Sequence, residues 1–198
     1  VLDRGWWVRK RVHFLDRRRN IGCDLGGRNS SFVGAQRHAD PCRFVDRHLG
    51  RVAREAAVLA VGEGQLAAGT TIGAALLDQT RLAGLGTMYA AETLFIERLH
   101  PWTPTVDLTD ARLTQLVDRA HRLLDTGRRH AVQSTTGSTR RGENTWVHGR
   151  SGRPCRRCGG TVRVAMIGPP TRERTMFYCP ACQGGLAPTD DGRPQRPL

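Results

Sequence analysis

The chain has 198 residues, of which 38% are hydrophobic, and it carries a formal net charge of +13. A chain of this length is expected to form one or two domains with a modest core. Lys10 is the only lysine, so the positive charge is almost entirely arginine, whose guanidinium group pairs bidentately with phosphate and stacks on bases. Nucleic acid is therefore the leading partner class, although a GC-rich genome also favours arginine over lysine.

The sequence also argues against a membrane partner. No apolar run approaches the roughly 18 residues that a transmembrane helix needs. No basic amphipathic helix is present that would dock on an anionic membrane surface. The basic N-terminal residues are not followed by the hydrophobic region of a secretion signal. The sequence therefore predicts an intracellular protein that does not bind membranes.

Residues 1–65 receive no fold assignment. The stretch RGWWVRKRVHFLDRRRN is basic and aromatic but keeps neither a strand nor a helix period, and CDLGGRNSS is typical of a loop. Aromatic rings between arginines would suit a nucleic-acid surface. The interpretation that we favour is a disordered segment or an out-of-frame remnant.

Residues 66–135 predict a small bundle of helices. The apolar residues of the first helix share one side: Ile72, Leu76 and Leu77. A tight turn follows at Gly84 and Gly86. Because glycine lacks a side chain, a DNA backbone can approach such a turn and meet the amides at the start of the next helix, where the helix dipole favours an anion. The alternative is an ordinary turn between two helices.

Two further helices complete the predicted bundle. The second is expected to end at Pro101 and to carry these residues inward: Ala91, Leu94, Phe95 and Leu99. The third is expected to begin after Thr109, a good N-cap, and to stop at Gly127. Its apolar residues recur at helical spacing: Leu113, Leu116, Val117, Ala120, Leu123 and Leu124. Core packing is the expected role of these apolar side chains.

Four cysteines follow the pattern C-x2-C-x20-C-x2-C: Cys155, Cys158, Cys179 and Cys182. A two-residue spacer lets both sulfurs of a tight turn face one point, and two such pairs supply the four thiolates that tetrahedral zinc prefers. Between them, TVRVAMI alternates, GPPT can turn and TMFY is strand-like, which predicts a β-hairpin. Residues 145–185 thus predict a zinc finger, with a disordered tail at 186–198. A pair of disulfides and a redox-active C-x-x-C are the alternatives.

Several stretches together resemble one known family. LLDQTRLAGLGTMYAAETLF is similar to the helix–two-turn–helix signature of the formamidopyrimidine-DNA glycosylase and endonuclease VIII family. HPWTP, GRSGRPCRRCGG and RTMFYCPACQ follow in the family's order, so the resemblance covers about residues 70–185. The segment STTGSTRRGENTWVHGR is closer to the actinobacterial endonuclease VIII-like branch. The implied fold is mainly α, a helix–two-turn–helix bundle followed by a four-cysteine zinc finger with a small β-hairpin.

The resemblance implies roles for individual residues. Arg174, five residues before Cys179, resembles the arginine that the zinc hairpin presents to DNA phosphate at the lesion. Gly84 and Gly86 would contact the DNA backbone. Thr87 stands where the formamidopyrimidine branch commonly has asparagine, and its hydroxyl would still donate to phosphate but reach less far.

The loop between the last helix and the hairpin offers two further candidates. Arg140 and Arg141 could add phosphate contacts, or they could be solvated loop charges. The resemblance also implies one structural Zn2+ as the cofactor and double-stranded DNA, including abasic or lesioned duplex, as the partner of a monomer. A bacterial, cytoplasmic and nucleoid-associated location follows.

The start of the chain departs from the family pattern. Family members begin with Pro-Glu, whose proline amine forms a Schiff base with the sugar, whereas this chain begins Val1-Leu2-Asp3. We therefore assign no catalytic residue and favour a DNA-binding module that is catalytically silent. One alternative is an active glycosylase and lyase with an upstream start or a substitute amine. The other is a zinc-ribbon scaffold that binds protein.

Overall fold

The computed structural model describes residues 69–82 and 84–196. The helices of this part are α1 (Ile72–Leu77), α2 (Thr87–Ile96), α3 (Asp110–Gly127) and α4 (Pro180–Gln183), with a short 3-10 helix at Thr105–Asp107. The strands are β1 (Arg163–Ile167) and β2 (Arg174–Tyr178). The interpretation of residues 1–65 falls outside the described residues.

The helices and the hairpin share one hydrophobic core. Helix α2 runs through its middle, and its side chains from Tyr89 to Phe95 are all buried. The other buried apolar side chains come from α1, from α3 and from the strands: Ile72, Leu76, Leu113, Leu116, Ile167, Met176 and Phe177 among them. The separate domains predicted at 66–135 and 145–185 therefore contribute to a single core, and their boundaries stay a prediction.

Helix α2 ends earlier than the sequence pattern suggests. The expected stop was Pro101, but the last helical residue is Ile96. Arg98 adopts a left-handed backbone conformation with φ of 52°, and the amide of Leu99 donates to the carbonyl of Leu94 at 2.9 Å. This is the hydrogen bonding of a Schellman-type helix end, with arginine in the place that glycine usually takes. The carbonyl of Pro101 instead accepts from the amide of Gly73 at 2.9 Å.

Helix α3 matches its predicted start and packing face. The side chain of Thr109 accepts from the amide of Arg112, as expected of an N-cap. Gly127 is the last helical residue, and a Cβ there would lie only 2.0 Å from the hydroxyl of Tyr89. Gly127 thus packs closely against α2, and a Cβ there would force the Tyr89 side chain to move. No helix in the described ranges is long and apolar enough to cross a membrane.

Strands β1 and β2 form the expected antiparallel hairpin. Arg163 pairs with Tyr178 at one end, and Ile167 pairs with Arg174 at the other. The hairpin packs on α1 at Gly73, where an added Cβ would lie 2.6 Å from the Ile167 side chain. Because glycine has no Cβ, the helix and the hairpin can approach this closely.

The segment after the last cysteine differs from the prediction of a disordered tail at 186–198. Ala187 is buried, and the side chain of Gln195 hydrogen-bonds to both the amide and the carbonyl of Val164 in β1. The sequence pattern there is rich in glycine, proline and aspartate. Such composition marks irregular structure, but it does not reveal that polar side chains tie the segment to a strand.

Candidate metal centre and nucleic-acid interface

The hairpin brings the four cysteines to one point. The sulfur atoms of Cys155, Cys158, Cys179 and Cys182 all lie within 4.8 Å of one another. The distance from Cys155 to Cys182 is 3.9 Å and that from Cys158 to Cys179 is 3.5 Å. Tetrahedral zinc with bonds of about 2.3 Å needs sulfurs roughly 3.8 Å apart. A disulfide requires about 2.05 Å, so these cysteines fit a metal ion and are free thiols here.

Tight turns aim each pair of cysteines. In the first pair, the amide of Cys155 donates to the carbonyl of Gly160 at 2.7 Å, and Gly159 takes a positive φ. In the second pair, Pro180 opens the short helix α4, and the amide of Gln183 donates to the carbonyl of Cys179 at 3.0 Å. Each spacer of two residues therefore forms one turn with both sulfurs on the same side.

The thiols differ in their acidity. A backbone hydrogen bond from Gly160 lowers the pKa of Cys158, the exposed member, to about 7. Burial raises the pKa of Cys179 and the pKa of Cys182. A buried thiolate is costly without a compensating positive charge, which a divalent cation at the centre of the cluster would supply.

Arg174 lies at the end of the hairpin far from the cysteines. It is the first residue of β2, its side chain is exposed, and no residue in the described ranges forms an ion pair with it. Its strand partner Ile167 is buried against α1, and so is Met176, two residues further along β2. The sequence-predicted arginine thus has no ion-pair partner among the described residues and lies on a strand that packs against α1.

The glycine turn between α1 and α2 is open to solvent. Gly84 has a φ of 91°, Gly86 is the N-cap of α2, and no atom of the described residues lies within 4 Å of a Cβ built on either. Thr87 is the first residue of α2 and is half-buried. The first amides of a helix lack acceptors within the helix, so those of α2 face this turn.

Sequence reasoning missed the residue that shapes this turn. The side-chain amide of Gln79 donates to the carbonyl of Leu85 at 2.9 Å, and its oxygen accepts from the amide of Gly84 at 3.0 Å. One side chain therefore bridges both sides of the turn. The available signal was its position in LLDQ: a polar residue two positions after the apolar face of α1 can bond to the turn that follows.

Arg140 and Arg141 lie in an exposed loop that is tied to α2. Both arginines are exposed and belong to a turn in which the amide of Glu143 donates to the carbonyl of Arg140. The loop continues into residues 146–148, whose three amides donate to the carboxylate of the fully buried Glu92 at 2.8–2.9 Å. Sequence reasoning missed Glu92, although an acidic residue within the apolar run YAAETLF was an available signal.

The candidate residues therefore converge on the unit formed by α1, the glycine turn and α2. The Arg174 end of the hairpin rests on α1 at Gly73, and the Arg140 loop is bonded to α2 at Glu92. Cysteines hold the opposite end of the hairpin. The arrangement offers an exposed guanidinium and open backbone amides, which are groups that bind phosphate.

Part of the chain is similar in sequence to a known protein family and to curated proteins. Residues 52–140 match the family described as the formamidopyrimidine-DNA glycosylase H2TH domain. A probable endonuclease 8 2 of Streptomyces coelicolor is 45% identical over 122 residues, which cover 62% of this chain and 44% of that protein. The chain thus spans less than half the length of this curated relative.

Solved structures of Fpg proteins are similar to this chain in fold. The crystal structure of the MutM (Fpg) protein from Thermus thermophilus superimposes with a TM-score of 0.53 at 27% identity, covering 68% of this chain and 51% of that one. Lactococcus lactis Fpg in complex with DNA containing an abasic site gives a TM-score of 0.52, also at 27% identity, over 66% and 46% of the two chains.

Proposed function

The chain belongs to the formamidopyrimidine-DNA glycosylase and endonuclease VIII family, and on this premise we propose that its described part is the damaged-DNA-binding portion of an endonuclease VIII-type base-excision repair protein. The observation that carries the proposal is the exposed Arg174, without an ion-pair partner in the described ranges, on a hairpin that packs against α1. A guanidinium in that setting is available to a phosphate at little cost in ordering.

The glycine turn supplies the second contact of the proposed interface. The open backbone at Gly84 and Gly86 lets a DNA strand approach the first amides of α2, and the hydroxyl of Thr87 adds a short-range donor. Arg140 and Arg141 extend the positive surface along the loop. These contacts carry no base information, so they favour affinity and placement over sequence preference.

The four cysteines would hold one structural Zn2+. Four thiolates in a closed tetrahedral set are the ligands of structural zinc, and they leave no open position for a substrate or a water molecule. The ion would therefore stiffen the hairpin and take no part in chemistry. Because the hairpin shares its core with α1 and α2, the metal would also support the helices.

We propose that the 198-residue chain is catalytically silent. Schiff-base chemistry of the kind that the family resemblance implies needs an amine close to the sugar carbon. Residues 69–196 contain no lysine, so this part has no primary amine in a side chain. Lys10 and the amine of Val1 lie outside the described residues, and activity through either is the competing hypothesis.

The chain would act as a monomer on the nucleoid.

One experiment tests binding and catalysis together. Fluorescence anisotropy of the zinc-loaded chain should show tighter binding to duplex with an abasic-site analogue than to undamaged duplex. A duplex that lacks one base from its stack bends more easily. Borohydride treatment with a natural abasic site should trap no covalent complex above background. Trapping that disappears when the N-terminal amine is blocked would identify an active lyase. Absence of binding to either duplex would favour the protein-binding scaffold.

A further inference from the structure

The segment at residues 187–195 bonds to β1 through side chains: that of Gln195 contacts the backbone of Val164, and that of Asp190 pairs with Arg163. The side-chain oxygen of Gln195 accepts from the amide of Val164, and the side-chain nitrogen donates to the carbonyl of the same residue, both at 2.9 Å. The same oxygen also accepts from the hydroxyl of Ser151 at 2.9 Å. One side chain thus satisfies the amide and the carbonyl of Val164 and joins β1 to the loop before Cys155.

A buried charge pair fixes the same segment to the base of the hairpin. Asp190 accepts hydrogen bonds from the guanidinium of Arg163 and from the hydroxyl of Tyr178. The side chains of Arg163 and Asp190 are only 8% and 1% exposed. Arg163 also donates to the carbonyl of Arg193 at 2.9 Å. Because both charges are buried and hydrogen-bonded, removing one leaves the other without compensation.

These bonds act on both strands at once. Arg163 and Tyr178 are partners across the hairpin, so Asp190 joins the last rung before Cys179 from β1 and from β2 together. Arg174 lies on the same two-stranded sheet, four rungs away. Two strands alone are marginally stable in water, so the hairpin depends on what packs against it: α1 at Gly73 and residues 187–195 at the β1 edge.

We propose that residues 187–195, here named the C-terminal clamp, are a positioning element for Arg174, with Asp190 and Gln195 as the residues through which the clamp acts. The inference rests on the proposed DNA-binding function. The clamp holds the β1 edge and the cysteine end of the hairpin, and Gly73 supports the other end. The direction of the Arg174 side chain then depends on the clamp as well as on the cysteines.

Asp190→Asn in the full zinc-loaded chain is the direct test, with Asp191→Asn as the matched control. Asp191 is the neighbouring residue, its side chain is 63% exposed, and within the described ranges it pairs with the 86% exposed side chain of Arg193. Asp190→Asn should weaken binding to an abasic-site duplex about tenfold. This is the loss of affinity expected when one charge-assisted hydrogen bond to the DNA is misplaced. Asp191→Asn should stay within about twofold of the unaltered chain, because it removes the same charge from an exposed site.

A double-mutant cycle separates positioning from general stability. In an Arg174→Ala background there is no guanidinium to misplace, so Asp190→Asn should then change the affinity by less than about twofold. The same factor in both backgrounds would mean that the clamp only supports the fold, and the proposal would be wrong. Equal affinities for Asp190→Asn and Asp191→Asn would overturn it as well. Gln195→Ala, a milder change, repeats the test if Asp190→Asn does not fold.

Hydrogen exchange keeps the clamp testable without DNA. If the unaltered chain binds no duplex, the proposed function fails, but the amides of β1 and β2 should still exchange about tenfold faster in Asp190→Asn than in Asp191→Asn. Unchanged exchange in the hairpin would refute the clamp itself. Failure of the clamp and failure of DNA binding therefore give different results.

Discussion

The carboxylate of Glu92 accepts a hydrogen bond from the backbone amide of Val147 at 2.8 Å, across 55 positions of the chain. Glu92 lies in α2 and is fully buried, and Val147 is equally inaccessible. The amides of Trp146 and His148 donate to the same carboxylate, as does the hydroxyl of Thr135. The buried carboxyl group of Glu92 thus orders the loop that leads from α3 to the cysteines.

Glu92→Gln should therefore destabilise the fold and loosen this loop. The amide nitrogen of glutamine would face backbone donors, so at least one donor would lose its acceptor and the rest would lose a charged one. We expect a loss of about 2–4 kcal/mol in the free energy of unfolding, measured by urea denaturation at constant zinc. Glu143→Gln, in an exposed part of the same loop, is the control and should stay within about 0.5 kcal/mol.

Zinc should account for much of the stability of this region. Freshly purified, reduced protein should contain one zinc per chain, since a structural four-cysteine site contributes on the order of 10–16 kcal/mol. Chelation should lower the melting temperature of the helices as well as that of the hairpin, because Met176 and Phe177 of β2 lie in the shared core. Cys179→Ser should lose the metal, whereas Cys23→Ser, outside the four-cysteine pattern, should keep it. Less than about half a zinc per chain would contradict the assignment.

Gly73→Ala should separate the hairpin from α1. The new Cβ would lie 2.6 Å from the Ile167 side chain and 2.9 Å from the carbonyl oxygen of Pro101, and the second contact cannot relax through a side-chain rotation. Overpacking of this kind costs about 1–3 kcal/mol. Gly86→Ala is the control without a clash, because nothing in the described ranges lies within 4 Å of its Cβ and its φ is −90°; it should cost less than about 1 kcal/mol, the loss expected of alanine at an N-cap. Thermal melts of the two variants at equal zinc should differ accordingly.

The local patterns in the sequence predicted more of this molecule than its long-range polar contacts. The cysteine spacing, the hairpin and the Thr109 cap depend on neighbours within a few residues, and all are present. The hydrogen bonds of Glu92 and of Gln195 each join residues more than 30 positions apart, which no local pattern encodes. The end of α2 was misjudged because a left-handed arginine, Arg98, gives no signal like that of proline or glycine.

Acid should weaken the fold through His148. Its ring packs 5.0 Å from that of Phe177, and burial lowers the pKa of His148 although the nearby Glu92 acts in the opposite direction. A histidine with a lowered folded-state pKa contributes stability above its unfolded pKa of about 6.5 and loses it as the pH falls below that value.

Urea denaturation between pH 7.5 and 5.5, in constant excess zinc, measures this dependence. The unaltered chain should lose more stability than His148→Gln over that interval, by at most about 1.4 kcal/mol per pH unit. His121→Gln, which changes an exposed residue of α3, should follow the unaltered chain. Parallel curves for the unaltered chain and His148→Gln would show that His148 takes up no extra proton on unfolding.

Arg174→Ala should reduce the salt dependence of DNA binding. If the guanidinium neutralises one phosphate, its loss removes about 0.9 from the slope of log K against log salt. The zinc content should not change, because the side chain is exposed and lies at the end of the hairpin opposite the cysteines. Arg129→Ala is the matched control, since it removes the same charge from an exposed arginine that already pairs with Asp125 in α3. Anisotropy titrations from 50 to 200 mM salt should give a lower slope for Arg174→Ala alone. An equal slope for both variants would mean that the Arg174 guanidinium only solvates the hairpin, and that the phosphate contact lies elsewhere on the positive surface.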